Sequence, residues 1–167
     1  MKTNRIASAA TSLVLLLSLS AARAPAQAAK VIDACSLLTV ADVSKALEQA
    51  SKPGKRMMES SPDGCIWSAD PAASDSSRKV ALNTHTPRAF GFARSPAITT
   101  IKVEPVSGVG DEAFYQIYPA PQSPFIWVRK GSNAISIRIM GTKANQFSLE
   151  QNKTKLLALA KSAVGRL

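Results

Sequence analysis

Cys35 and Cys65 are the only two cysteines in this 167-residue chain, and how they are used limits the fold more than any other feature. Their use depends on compartment, which the N-terminus indicates. Residues 1–8 carry Lys2 and Arg5 and no acid. Residues 9–22 are uncharged around Leu13-Val14-Leu15-Leu16-Leu17, and Ala26-Gln27-Ala28 has the small-x-small form. A basic start, a short apolar core and an Ala-x-Ala end describe a secretory signal peptide. A membrane-spanning helix needs about 20 apolar residues, more than this run supplies. The sequence therefore predicts cleavage after Ala28, with residues 1–28 as signal peptide and 29–167 as a single domain. A lipid anchor requires a cysteine at the cleavage point. Cys35 comes later, behind Ile32-Asp33-Ala34, so a released periplasmic or secreted protein with no stable membrane anchor is expected.

In an oxidising compartment, two cysteines without motif spacing read as one disulfide rather than a metal or redox site. Zinc asks for four ligands, and His85 is the only histidine. No Cys-x-x-Cys pair is present for redox exchange. The expectation is a Cys35–Cys65 bond that pins an N-terminal helix to the first strands, with Trp67 packed beside it and no metal or cofactor.

Lys2, Arg5 and Arg23 belong to the leader, so the formal charge of +10 falls to +7 in the mature chain. The cations are scattered: Lys52, Lys55 and Arg56, then Arg78-Lys79, then Arg129-Lys130, then four along the last helix. Nucleic-acid recognition calls for a clustered patch or a known module, and none is expected here. Such a surface favours acidic partners or anionic envelope polymers.

Thr39-Val40-Ala41-Asp42 forms a capping-box pattern, and apolar residues at three- and four-residue steps predict a helix over 40–49. A weak strand over 55–59, a turn at Ser61-Pro62-Asp63-Gly64 and a strand over 65–68 follow, the last placing Cys65 and Trp67 on one face. Residues 70–77 read as a polar loop and 79–84 as a strand. Residues 87–94 read as a short helical turn or ordered loop, and 98–103 as a strand ended by Pro105. Residues 125–129 and 134–140 make a hairpin, and Ile135, Ile137 and Ile139 alternate as in a half-buried strand. Ser148 and Gln151 open a last helix with a second capping box. The order predicts an α+β fold: an antiparallel sheet of about five to six strands with an N-terminal and a C-terminal helix packed on one face.

Gly108-Val109-Gly110-Asp111-Glu112-Ala113 formally matches a dinucleotide fingerprint, but that motif needs a preceding strand and a following helix. The β-prone Phe114-Tyr115-Gln116-Ile117-Tyr118 follows instead, so a tight glycine turn opening a strand is expected.

Together, Asp33-Ala34-Cys35-Ser36-Leu37-Leu38-Thr39, Cys65-Ile66-Trp67 and Gly108–Ala113 resemble motifs of a family of secreted bacterial proteins of unknown function, many of them lipoproteins. The resemblance runs from Asp33 to the last helix. It implies a disulfide between the two cysteines and a compact α+β domain, and no catalytic residues. The chain departs from it in lacking the lipid-anchor cysteine.

Catalysis is not expected. His85 lies between two threonines, no serine sits in Gly-x-Ser-x-Gly, and the acids fall in caps and turns. The first expectation is a monomeric, non-enzymatic ligand-binding or sensor-like module. It would hold a small apolar ligand in a cavity lined by Trp67, Phe114, Tyr115, Trp127 and Ile137. The alternative is an envelope protein-interaction module, an adaptor or inhibitor, acting through a sheet edge or an exposed aromatic patch drawn from Phe90, Phe92, Tyr115, Tyr118 and Phe125. A hollow core favours the first, and a closed core with exposed aromatics the second.

Overall fold

The computed structural model describes residues 31–70, 78–119, 122–141 and 147–167. The expected leader, the expected cleavage point and most of the expected polar loop after Asp70 lie outside them. A 3₁₀ turn, Ala34–Ser36, is capped by Asp33, whose carboxylate accepts the Cys35 amide at 3.0 Å. Helix α1 (Val40–Leu47) opens with the expected reciprocal box between Thr39 and Asp42. It stops at Leu47, because Glu48 takes a left-handed conformation, φ 59°, and turns the chain out.

Seven strands follow: β1 (Lys55–Met58), β2 (Ser61–Ser68), β3 (Lys79–His85), β4 (Lys102–Val106), β5 (Glu112–Ile117), β6 (Phe125–Lys130) and β7 (Asn133–Met140). They form one antiparallel sheet in the order β1-β2-β3-β7-β6-β5-β4, larger than the five to six strands expected. Two local expectations are corrected. The stretch Ser61 to Gly64 belongs to β2, because Met58 pairs with Ser61 and the turn falls on Glu59-Ser60. Pro62 is tolerated there because pairing with β3 begins only at Gly64 and the register with β1 breaks between Arg56 and Met58. The strand expected at 98–103 is β4, whose interior contains Pro105; as an outer strand it can lack one N–H without loss of a ladder bond.

The stretch left as a turn or loop is helix α2 (Pro87–Arg94), capped by Thr86 with Pro87 in its first turn. Topology explains its place. β3 lies mid-sheet and β4 at the far edge, so the connection must cross the sheet, and α2 packs on β5, β6 and β7 as it does so. Helices α1 and α3 (Leu149–Val164) lie together on the opposite face, as expected for the N- and C-terminal helices. Ser148 and Gln151 complete the second capping box.

The helix-covered face is a closed core. Cys65, Leu82, Ile137, Ile126 and Tyr115 stand in one cross-strand row beneath α1 and α3. Leu37, Leu47, Leu156 and Trp67 fill the space above them, each at most 1% exposed. Cys35 is bonded to Cys65, as expected, but what the bond fastens to β2 is the 3₁₀ turn ahead of α1 rather than the helix itself. Lys153 lies along α3 with its ammonium 2.6 Å from Glu104 on β4 and 3.3 Å from Glu150. Those carboxylates hold its pKa above the usual lysine value, burial opposing them in part. The lysine beside the apolar stripe thus ties the last helix to the sheet's outer strand.

Candidate functional site on the open sheet face

Strand periodicity of two sends alternate residues to the other face. Among the described residues α2 is the element packed there, and it covers only one end. Phe90 of α2 is 2% exposed and packs on Phe114 and Ala134. The rest of the face is read off the register. One row crosses all seven strands: Lys55, Ile66, Ala81, Arg138, Phe125, Gln116 and Val103. Beside it runs Gly64, Asn83, Ser136, Trp127, Phe114 and Pro105. Ile66, Arg138, Phe125, Trp127 and His85 are half-buried.

Gln116 organises the aromatic end. It is 5% exposed, donates to the Ala93 carbonyl of α2 at 3.2 Å, and accepts from Trp127 Nε1 and the Tyr118 hydroxyl, each at 3.1 Å. The one amide therefore docks α2 and fixes two aromatic rings. Phe125 packs against Tyr118, ring centres 5.7 Å apart, and the Arg138 guanidinium lies 5.0 Å from the Phe125 ring. That is a cation–π arrangement. Arg138 Nε is buried with no hydrogen-bond partner among the described residues.

His85 packs tilted against Trp127, ring centres 4.5 Å apart, and its Nε2 is 2.8 Å from Ser136 Oγ. These two residues are 51 apart in sequence but on neighbouring strands, so no linear motif could announce them. A serine bonded to a histidine invites comparison with a nucleophile and its base. Ser136 is 2% exposed, and the contact satisfies two polar groups under the aromatic end. Burial pushes the His85 pKa down, with the charge of Asp63 opposing, so the ring is neutral at pH 7.

The other end of the face is cationic. Lys52, Lys55 and Lys79 border a cleft of about 410 Å³ with Pro53, Ile66, Ser68 and Ala69. Lys52 is placed by its amide, which donates to the Ser68 carbonyl at 2.9 Å and continues the β1–β2 pairing past Pro53-Gly54.

The five residues expected to line one cavity are split between faces. Trp67, Tyr115 and Ile137 lie in the closed core, at 1%, 8% and 0% exposure. The Tyr115 hydroxyl donates to the Lys153 carbonyl at 2.8 Å. Phe114 and Trp127 lie on the other face, ring centres 6.3 Å apart, with Phe114 2% exposed beneath α2 and Trp127 half-buried. Of the alternative aromatic patch, Phe90 and Tyr115 are buried, Phe92 is exposed on α2, and Tyr118 and Phe125 share the open face. Sequence reasoning missed Ile66, Ala81, Arg138 and Gln116. The signal available was alternation in β7, where Ser136 and Arg138 interrupt the isoleucines and mark a second, polar face.

The glycine segment opens strand β5, as expected. Asp111 N donates to the Arg129 carbonyl at 2.8 Å, and the Asp111 carboxylate accepts the Gly131 amide at 2.6 Å. The motif locks onto the β6–β7 hairpin. Among the described residues no helix is long and apolar enough to cross a membrane. Compared with protein-family models, with curated proteins and with solved structures, the chain matches none.

Proposed function

We propose that the mature chain is an extracytoplasmic, non-enzymatic interaction module, and that it engages its partner on the open face of the sheet. One contrast carries this reading. The space under α1 and α3 is filled by Trp67, Leu82 and Ile137, each at most 1% exposed, whereas the opposite face presents half-buried Phe125, Trp127 and Ile66 beside Arg138. A carrier needs volume inside its core. An adaptor needs accessible aromatic and arginine side chains on a rigid frame, which a seven-stranded sheet provides. The disulfide fits an oxidising compartment. The secretory leader, the single domain from Ala29 and membership of the secreted bacterial family form part of the same proposal.

The face is tested by photo-crosslinking in the native envelope. A photoreactive phenylalanine in place of Phe125 is expected to capture a partner. The same group in place of exposed Thr154 on α3, on the opposite face, is expected to capture none. Capture from position 154 alone, or from neither position, contradicts the reading.

A further inference from the structure

We infer that the lysine-bordered cleft at the β1–β2 end of the open face is an anion subsite for a phosphate group carried on an apolar body. The inference rests on the open-face reading and gives its ligand a chemistry. Three observations carry it. First, among the described residues the wall of the cleft holds Lys52, Lys55 and Lys79 and no acid, and none of the three lysines makes an ion pair there. Two other open grooves differ. The one between α1 and α3 mixes Asp42 and Glu48 with Lys45 and Lys155, and the one by His85 includes Asp63. Elsewhere six cations are matched, Arg56 with Asp33, Arg94 and Arg129 with Glu112, Lys153 with Glu104, Lys155 with Glu48, and Arg166 with Asp42, and what sets the cleft apart is that three unmatched lysines border one concavity. Three unmatched like charges gathered at one cleft repel one another, and an anion between them relieves that repulsion.

Second, the volume of about 410 Å³ lies in the range of a small-molecule site. Three ammonium donors and the Ser68 hydroxyl suit a group with several acceptor oxygens and more than one negative charge, which a phosphate offers and a single carboxylate does not. Third, the cleft leads onto an apolar lane. Ile66, Ala81, Arg138 and Phe125 follow one another across the sheet at strand spacings of about 4.8 Å. Ala81 has no bulk above the sheet, Ile66 and Phe125 are apolar, and Arg138 brings a fourth cation, its Nε buried and unpartnered among the described residues. A ligand with a phosphate in the cleft can lay an apolar body along this lane toward Phe125.

The test is amide NMR of the mature, disulfide-bonded protein titrated with inorganic pyrophosphate and, separately, with octyl phosphate at low ionic strength. Both are expected to give saturable shifts at residues 52, 54, 55, 66–69 and 79, and octyl phosphate additional ones at Ala81 and Phe125. The triple variant Lys52→Gln, Lys55→Gln, Lys79→Gln touches only exposed side chains, so it is expected to melt with the parent and to lose affinity about tenfold or more. Shifts spread evenly over all lysines, no saturation, or equal affinity in the variant overturns the inference. Sedimentation with vesicles containing phosphatidic acid, whose phosphate is a monoester like that of octyl phosphate, lost in the variant, places the phosphate on a lipid headgroup. Binding of octyl phosphate without sedimentation places it on a soluble ligand, and either result upholds the subsite. Capture at position 125 with no pyrophosphate response would discard the anion and leave the open-face reading standing.

Discussion

Removing the Cys35–Cys65 bond is expected to lower stability by roughly 3–4 kcal/mol. The two cysteines lie 30 residues apart, and a cross-link closing a loop of that length removes conformational freedom mainly from the unfolded chain. Against a net stability of about 5–15 kcal/mol for a domain of this kind, the loss is large. The two ends of the bond are not equivalent. Cys65 is 0% exposed beside Trp67, whereas Cys35 is half-buried at the surface turn. Cys65→Ser therefore adds an unpartnered hydroxyl to the core, worth about 1–3 kcal/mol more, and Cys35→Ser does not. Urea titrations should rank the parent above Cys35→Ser and Cys35→Ser above Cys65→Ser. Coincident midpoints for all three proteins would show that the bond does not clamp the fold.

Gly110→Ala is expected to be the most damaging single-methyl change among the glycines of the Gly-Val-Gly motif, at about 2–4 kcal/mol. Gly110 has φ +62°, and a Cβ there would lie 2.5 Å from the Arg129 carbonyl oxygen and 2.6 Å from Val128 Cγ1. Backbone cannot swing aside as a side-chain tip can, and the same carbonyl accepts the Asp111 amide. Gly108→Ala is the control. Its φ is +79°, but nothing lies within 4 Å of the added methyl. Only the left-handed strain remains, about 1–2 kcal/mol. Thermal melts should separate the two variants clearly; equal losses would mean that the close approach at Gly110 is not what the motif secures.

Both predictions concern segments whose roles were legible in the sequence. The disulfide was expected from a leader-like N-terminal pattern and two unspaced cysteines. The glycine turn followed from the β-prone Phe114–Tyr118 run, which cannot continue as the helix that a dinucleotide fingerprint needs. Thr39-Asp42 and Ser148-Gln151 announced both long-range helix starts, because capping is local chemistry between residues three apart. What escaped was set by distant partners. Residues 87–94 contain Gly91 and bury only Phe90, so they lack an apolar stripe, and their helix exists to cross the sheet from β3 to β4. Pro105 read as the end of a strand because its neighbours in sequence do not reveal that β4 is an outer strand. The candidate site was hardest. Trp67, Tyr115 and Ile137 do converge, but into a closed core. The open face joins Ile66, Ala81, Arg138 and Phe125 from four strands, and their alignment depends on β3 pairing with β7, which no local pattern encodes.

The open face also explains why the charge pattern was uninformative in one dimension. Lys52, Lys55 and Lys79 are separated by 27 residues from first to last, and become neighbours only when Ser51 pairs with Ala69 and Ser68 with Lys79. Scattered basic residues and a gathered cationic cleft are the same residues before and after folding.

The most direct measurement of the central claim is mass spectrometry of the protein taken from its own envelope, first under native conditions and then denatured. The account predicts a denatured chain beginning at Ala29, two hydrogens lighter than its reduced form, that carries a noncovalently bound species in the native spectrum. A native spectrum of the bare monomer, with no bound species released on denaturation, would contradict it.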